Sequence, residues 1–265
     1  MKNPTHVIYH GGCPDGFAAA YAVWKKLTNN CEYIPGFFGQ PLPVLPSDAR
    51  VLVLDFSFSR DAALALAGKV YEIKLLDHHV TAAENLQGIP WCEFDLEHSG
   101  AYLAWKYMHG EPVPELIKYV EDRDLWRFQL PYSREVAAAL GSYKRDFVVW
   151  EGISQMGMDK LKLDGGVILR FQAQKVEEMV ANARWMDFDG YRVPVANASV
   201  FFSEVGDRLC QIHPDVPFSI YYYDRADGKR QWGLRSPGRF DVSALAKDHG
   251  GGGHPGAAGF VTENK

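Results

Sequence analysis

Short apolar runs and stretches with apolar positions every three to four residues alternate through the first half of the chain, a pattern that predicts β-α-β units around a largely parallel sheet. His6-Val7-Ile8-Tyr9-His10 reads as the first strand. Phe17, Ala20, Tyr21 and Trp24 recur at helical spacing and predict a helix from about Gly16 to Lys26. Val51-Leu52-Val53-Leu54-Asp55 and Ile73-Lys74-Leu75-Leu76-Asp77 have the length and composition of strands buried on both faces, and each ends in an acidic residue. From Ser99 to Trp150 the periodicity is helical, with Pro and Gly as breaks.

The helical pattern continues from Asp164 to Asp187, and Asp187-Phe188-Asp189-Gly190 reads as its stop. New strands are expected over Phe218 to Tyr223 and Gln231 to Arg235, then a short helix near Val242 to Asp248 and a glycine run. The expected architecture is therefore α/β: an N-terminal, largely parallel sheet flanked by helices (1–163), a helical linker (164–189) and a smaller C-terminal α/β domain (190–265).

Composition narrows the class. The 265 residues are 47% hydrophobic and 23% charged, as in a globular protein with a real core. The 28 basic and 33 acidic side chains give a net charge of −5 with no basic track, which argues against duplex DNA as a partner. The opening MKNPTHVIYHGG has no apolar signal core and no 18-residue apolar run follows, so a cytoplasmic protein without a membrane segment is expected. Cys13, Cys31, Cys92 and Cys210 are too dispersed for a disulfide framework or a zinc cage.

In open parallel sheets ligands gather at the carboxyl ends of the strands. Three such ends here carry candidate metal ligands: His10 with Cys13 and Asp15, then Asp55, then Asp77-His78-His79. Carboxylate oxygens beside imidazole nitrogens suit Mn²⁺, Mg²⁺, Fe²⁺ or Zn²⁺. Asp15 and Asp55 each have a competing role as helix caps, and Asp122 and Asp124 one as surface charges. As a set they imply repulsion that only cations would relieve. Gly250 to Gly253 lack β-carbons, so their amides can approach an anion closely, and Arg235 suits a bidentate phosphate contact.

The ordered series H-G-G-C-P-D-G, V-L-D-F-S, L-L-D-H-H, E-D-R-D-L-W and G-G-G-G-H-P-G-A-A-G-F, running from His10 to Phe260, resembles the DHH phosphoesterase family with its DHH-associated C-terminal domain. The resemblance implies a two-domain hydrolase in which paired divalent ions, usually manganese with magnesium as the alternative, activate water on a phosphorylated substrate. It implies that Asp55 bridges the metals, that Asp77 and His78 join the metal site with His79 beside them as the catalytic motif, and that Asp122 or Asp124 adds a further carboxylate. Through the same resemblance His254, with Gly252 and Gly253, is expected to reach a substrate phosphate.

One departure stands out. The family's first motif commonly carries two aspartates separated by one residue, and Cys13-Pro14-Asp15 has a cysteine in one of those places. Cys13 is then either a softer ligand or a buried residue packing the loop. The expected substrate is a small nucleotide or short oligonucleotide, such as nanoRNA, a 3′-phosphorylated nucleotide or a cyclic dinucleotide, with a homodimer allowed. Two other readings are open: a pyrophosphatase or exopolyphosphatase, and a nucleotide sensor with impaired catalysis.

Overall fold

The computed structural model describes residues 3–38, 40–238 and 240–263 and divides into two compact units, one up to Leu169 and one from Arg170 on. In the first unit the strands are β1 (His6–His10), β2 (Glu32–Gly36), β3 (Arg50–Leu54), β4 (Glu72–Asp77) and β5 (Cys92–Phe94). Its helices are α1 (Pro14–Leu27), α2 (Arg60–Ala67), α3 (Val80–Asn85), α4 (Gly100–His109), α5 (Glu115–Asp124), α6 (Ser133–Ser142) and α7 (Phe147–Met156). α8 (Met158–Ala181) runs across the division.

All five strands pair in parallel in the order β2-β1-β3-β4-β5. Side chains alternate across the sheet, so Val7, Leu52, Leu54 and Leu76 bury against α1 and its neighbours. Ile8, Val51, Val53 and Leu75 bury on the other face with Ala63 and Leu66 of α2. Alanines make the first layer tight: Ala18, Ala19, Ala20 and Ala22 of α1 lie in one core with Ala101 and Ala104 of α4. The strand order reverses between β1 and β3, which opens a crevice at their carboxyl ends. His10 and Asp55 stand at those ends.

The second unit holds β6 (Arg184–Phe188), β7 (Tyr191–Asn197), α9 (Phe202–Ile212), β8 (Ser219–Asp224), β9 (Lys229–Arg235), α10 (Val242–Asp248), β10 (Gly252–His254) and β11 (Ala257–Glu263). Its mixed sheet has the order β10-β11-β9-β8-β7-β6, with α9 joining the parallel pair β7 and β8. The α/β class with a smaller C-terminal unit is thus observed, although that unit's sheet has six strands against five in the first.

Two expectations fail here. The helix read as reaching Asp187 ends at Ala181, and Arg184–Phe188 is a strand paired to β7. Asp189 and Gly190, read as a helix stop, are the two-residue loop of that hairpin, both with positive φ (47° and 83°), as a type I′ turn requires. The glycine run is also not an open amide cradle throughout. Gly252 and Gly253 pair with Gly259 and Ala258, and a β-carbon on Gly253 would stand 2.6 Å from the Ala257 carbonyl oxygen. No helix among the described residues is long and apolar enough to cross a membrane.

Candidate metal centre

The loop after β1 turns into α1 through Cys13, whose Sγ accepts the Gly16 N–H at 3.2 Å, with Pro14 preset for the first helical turn. The same sulfur lies 3.3 Å from His10 Nδ1 and 3.3 Å from Asp55 Oδ2. Asp15 is not the cap. Its buried carboxylate reaches across to α4, where Oδ1 accepts the Ala101 N–H at 3.2 Å. Asp55 is not a cap either, since Ser59 caps α2. It follows β3 in a left-handed conformation (φ 53°) and donates its N–H to the Leu76 carbonyl. Such a backbone is costly for a residue with a β-carbon, and it turns the carboxylate into the crevice.

Asp55 divides its oxygens. Oδ2 lies 3.5 Å from His10 Nδ1 and Oδ1 lies 3.1 Å from His78 Nε2. His78 Nε2 also faces Asp124 Oδ2 at 3.5 Å and Asp15 Oδ2 at 3.9 Å. Candidate donor sets include His10–Cys13–Asp55, Asp15–His78–Asp124 and Asp55–Asp77–His78–His79, each with its ligand atoms within 4.8 Å of one another. Asp77 makes several further contacts. Fully buried at the end of β4, it accepts the His78 N–H (2.7 Å) and His79 Nδ1–H (2.7 Å) on Oδ1 and the Ser57 hydroxyl (2.5 Å) on Oδ2. It holds His79 in one ring orientation.

The electrostatics express this crowding. Burial, then the charges of Asp124 and Asp55, push the Asp15 carboxyl well above the usual range. Burial, with Asp55 adding to it, raises Asp124. Burial followed by Asp55, Asp124 and Asp15 pushes the Cys13 thiol well up. For Asp55 burial pulls the same way, but hydrogen bonds from His10 and His78 outweigh it and hold the carboxylate far down. For His78 burial opposes the charged ring, and the hydrogen bond to Asp55 with the charge of Asp124 overcomes it, raising the imidazole to about 10. At Asp77 burial is overcome by the charge and hydrogen bond of His79, and its carboxyl is lowered.

A divalent pair fits these residues. Asp15 Oδ2 is buried and has no hydrogen-bond partner, a costly state that a cation would relieve. Of the two aspartates on α5, Asp124 faces the centre. Asp122 is turned away, accepting the N–H groups of Gln129 (2.9 Å) and Leu130 (3.2 Å) and so tying down the loop after the helix. Residues two apart on a helix point about 200° from each other, so only one of them can reach the crevice. In the second unit Arg235 and His254 share a cross-strand row, both paired to Ala257 on the strand between them. Sequence reasoning left Ser57 without a role although the V-L-D-F-S motif contains it, and it passed over Phe38. That ring is half-exposed, packs edge-on to His10 with centroids 5.5 Å apart, and leans on Phe56 at 5.0 Å.

No family model matches the chain. An uncharacterized protein, R106, of Acanthamoeba polyphaga mimivirus is 28% identical over 280 residues, covering 96% of this chain and 66% of the viral protein, so the chain spans just under two thirds of that relative. Among solved structures, an exopolyphosphatase-related protein from Bacteroides fragilis aligns over 96% of this chain and 85% of its own with a TM-score of 0.51 and 16% identity. A pGpG-specific phosphodiesterase from Vibrio cholerae aligns over 97% and 93% with a TM-score of 0.48 and 12% identity. The fold shared with the Bacteroides protein fits the resemblance of the ordered motifs to the DHH phosphoesterases.

Proposed function

We propose that the protein is a divalent-metal phosphoesterase that hydrolyses phosphoester bonds of small nucleotides or short oligonucleotides. The observation that carries the reading is the buried Oδ2 of Asp15, without a hydrogen bond and 3.9 Å from His78 Nε2, among Asp55, Asp124 and His78. His10, Cys13 and Asp55 would hold one ion and Asp15, His78, Asp124 and Asp55 the other. When bound, a pair of Mn²⁺ or Mg²⁺ ions supplies Lewis acidity toward a phosphoryl oxygen and toward water. Asp77 and Ser57 act through position: by fixing Nδ1 of His79, the Asp77 carboxylate makes Nε2 the ring atom that meets the substrate phosphate. Asp77 is thus a positioning residue in this reading, set apart from the ligands the resemblance placed it with.

Phosphate binding falls to the second unit through Arg235, His254 and the Gly252-Gly253 segment, with the first unit carrying the hydrolytic centre. Phe38 favours a nucleotide over an inorganic polyphosphate, since a half-exposed ring edge-on to His10 offers a base a stacking surface. The test is a substrate panel in Mn²⁺ with products identified by mass spectrometry. Nucleoside monophosphates from short oligonucleotides or linear dinucleotides are expected, with Asp55→Asn lowering turnover at least about 100-fold. Phe38→Ala should raise KM for these substrates roughly tenfold, within the range of one lost base–aromatic stack, and leave pyrophosphate hydrolysis unchanged. Faster release of inorganic phosphate from pyrophosphate than of any nucleotide product overturns the nucleotide assignment, and binding without turnover would make the protein a sensor.

A further inference from the structure

We infer that the two halves of the centre are chemically unequal and take different metals. The His10–Cys13–Asp55 set holds a thiophilic divalent ion of the Zn²⁺, Co²⁺ or Fe²⁺ class, and the Asp15–His78–Asp124 set holds a hard one, Mn²⁺ or Mg²⁺. The inference rests on the hydrolytic reading for the existence of the centre and goes beyond it in assigning each half.

The first support is geometric. His10 Nδ1, Cys13 Sγ and Asp55 Oδ2 form a triangle with edges of 3.3, 3.3 and 3.5 Å. A tetrahedral zinc site with ordinary Zn–N, Zn–S and Zn–O bonds has ligand-to-ligand edges of roughly 3.4–3.6 Å, so the three donors stand close to where such an ion needs them. The thiol donates to Asp55 Oδ2 and touches His10 Nδ1, so loss of its proton to a cation would leave the sulfur already between the two other donors. Cys13 also sits at the amino end of α1, a fourteen-residue helix, with the Gly16 N–H pointing at its sulfur; burial and the neighbouring carboxylates outweigh that contact and keep the thiol protonated, so the thiolate would form only with a cation bound.

The second support is the contrast between the sets. One offers nitrogen, sulfur and oxygen, and the other offers oxygen, nitrogen and oxygen. Soft thiolate discriminates strongly for Zn²⁺, Co²⁺ and Fe²⁺ over Mn²⁺ and Mg²⁺, whereas carboxylate-rich sets suit the hard ions. Asp55 lies between the two, with Oδ2 in the first triangle and Oδ1 beside His78, so one carboxylate serves both ions without making them alike. The partnerless Asp15 Oδ2 belongs to the hard half.

Cobalt is the probe, because a cobalt–thiolate bond gives a charge-transfer absorption in the near ultraviolet that oxygen and nitrogen ligands do not. The full chain, stripped of metal, should bind two equivalents of Co²⁺ by equilibrium dialysis, and one of them should produce the band. Cys13→Ser and Cys13→Asp should lose the band and keep cobalt at the other set. Dialysed against equal Zn²⁺ and Mn²⁺, the wild type should retain about one of each by elemental analysis. Cys13→Asp should shift toward two Mn²⁺, with Zn²⁺ affinity reduced tenfold or more. Two bound cobalt ions without the band, or unchanged Zn²⁺ affinity in Cys13→Ser, would overturn the inference and leave the hydrolytic reading standing. Failure to bind cobalt at all would instead remove the metal centre itself.

Discussion

His78 shows how much of the centre depends on one ring. In the metal-free protein three carboxylates surround its Nε2, and the imidazole is charged up to about pH 10 although it is buried. Its folded value lies above the unfolded one near 6.5, so the folded state binds the extra proton and is stabilised by it. That stabilisation is complete below about pH 6.5 and is lost as pH rises toward 10. Asp15, raised above its ordinary value, shifts stability in the same direction at lower pH. The metal-free chain should therefore lose on the order of a few kcal/mol across that window, read as a falling thermal midpoint. His78→Gln should flatten most of the fall, with His79, also raised, leaving a smaller one. Saturating Mn²⁺ should flatten it too, since a ligating ring is neutral throughout. Parallel curves for wild type and His78→Gln would show that His78 does not carry the dependence. None of this was legible in D-H-H as letters, because the triplet announces ligands but not which of its members faces the other carboxylates and which, as Asp77 does, accepts hydrogen bonds from its neighbours.

At the scale of elements the crevice is built by two close approaches. α4 starts at Gly100 directly against Asp55, where a β-carbon would lie 2.4 Å from the Asp55 β-carbon and 2.8 Å from its Oδ1. α1 passes His10 so closely that a β-carbon on Gly16 would stand 2.3 Å from the His10 carbonyl oxygen. Gly100→Ala should thus push Asp55 out of its place, cost about 1–3 kcal/mol of stability and weaken metal binding. Gly152→Ala, in α7 with nothing within 4 Å of the added carbon, should be neutral or stabilising by up to about 1 kcal/mol. Calorimetry with and without Mn²⁺ compares the two, and equal metal affinity in Gly100→Ala and wild type would show that α4 does not press on the site. In the first unit β1, β3, β4 and α1 were readable, because β3 is apolar on both faces, β4 ends in an apolar run and α1 keeps a helical period, whereas β2 and the three-residue β5 were not read. Its ligand geometry was not, since Asp122 and Asp124 look alike until the helix turns one of them away. The error at β6 has a similar root: Arg184–Phe188 continues a charged, amphipathic stretch, and only the Asp189-Gly190 loop pairs it with β7.

The two units carry different candidate groups. The acidic and imidazole groups cluster in the first, while Arg235 and His254 lie in one row of the second unit's sheet, two strand spacings or roughly 10 Å apart. The row exists because β10 and β11 form a narrow hairpin that sets His254 opposite Ala257, and Ala257 in turn opposite Arg235. If this row binds substrate phosphate, its loss should leave the metals alone. His254→Ala and Arg235→Ala should bind Mn²⁺ as wild type does and lose roughly 30-fold or more in kcat/KM, the effect of about 2–4 kcal/mol of transition-state stabilisation. Arg235 is largely buried beside Gly206, so Arg235→Lys is the needed companion. It retains charge and most of the packing but loses the bidentate fork, and should recover only part of the rate. Thermal midpoints for all three separate a weakened unit from a lost contact. Full activity in both alanine variants with stability unchanged would remove phosphate binding from the second unit and confine the reaction to the residues of the first.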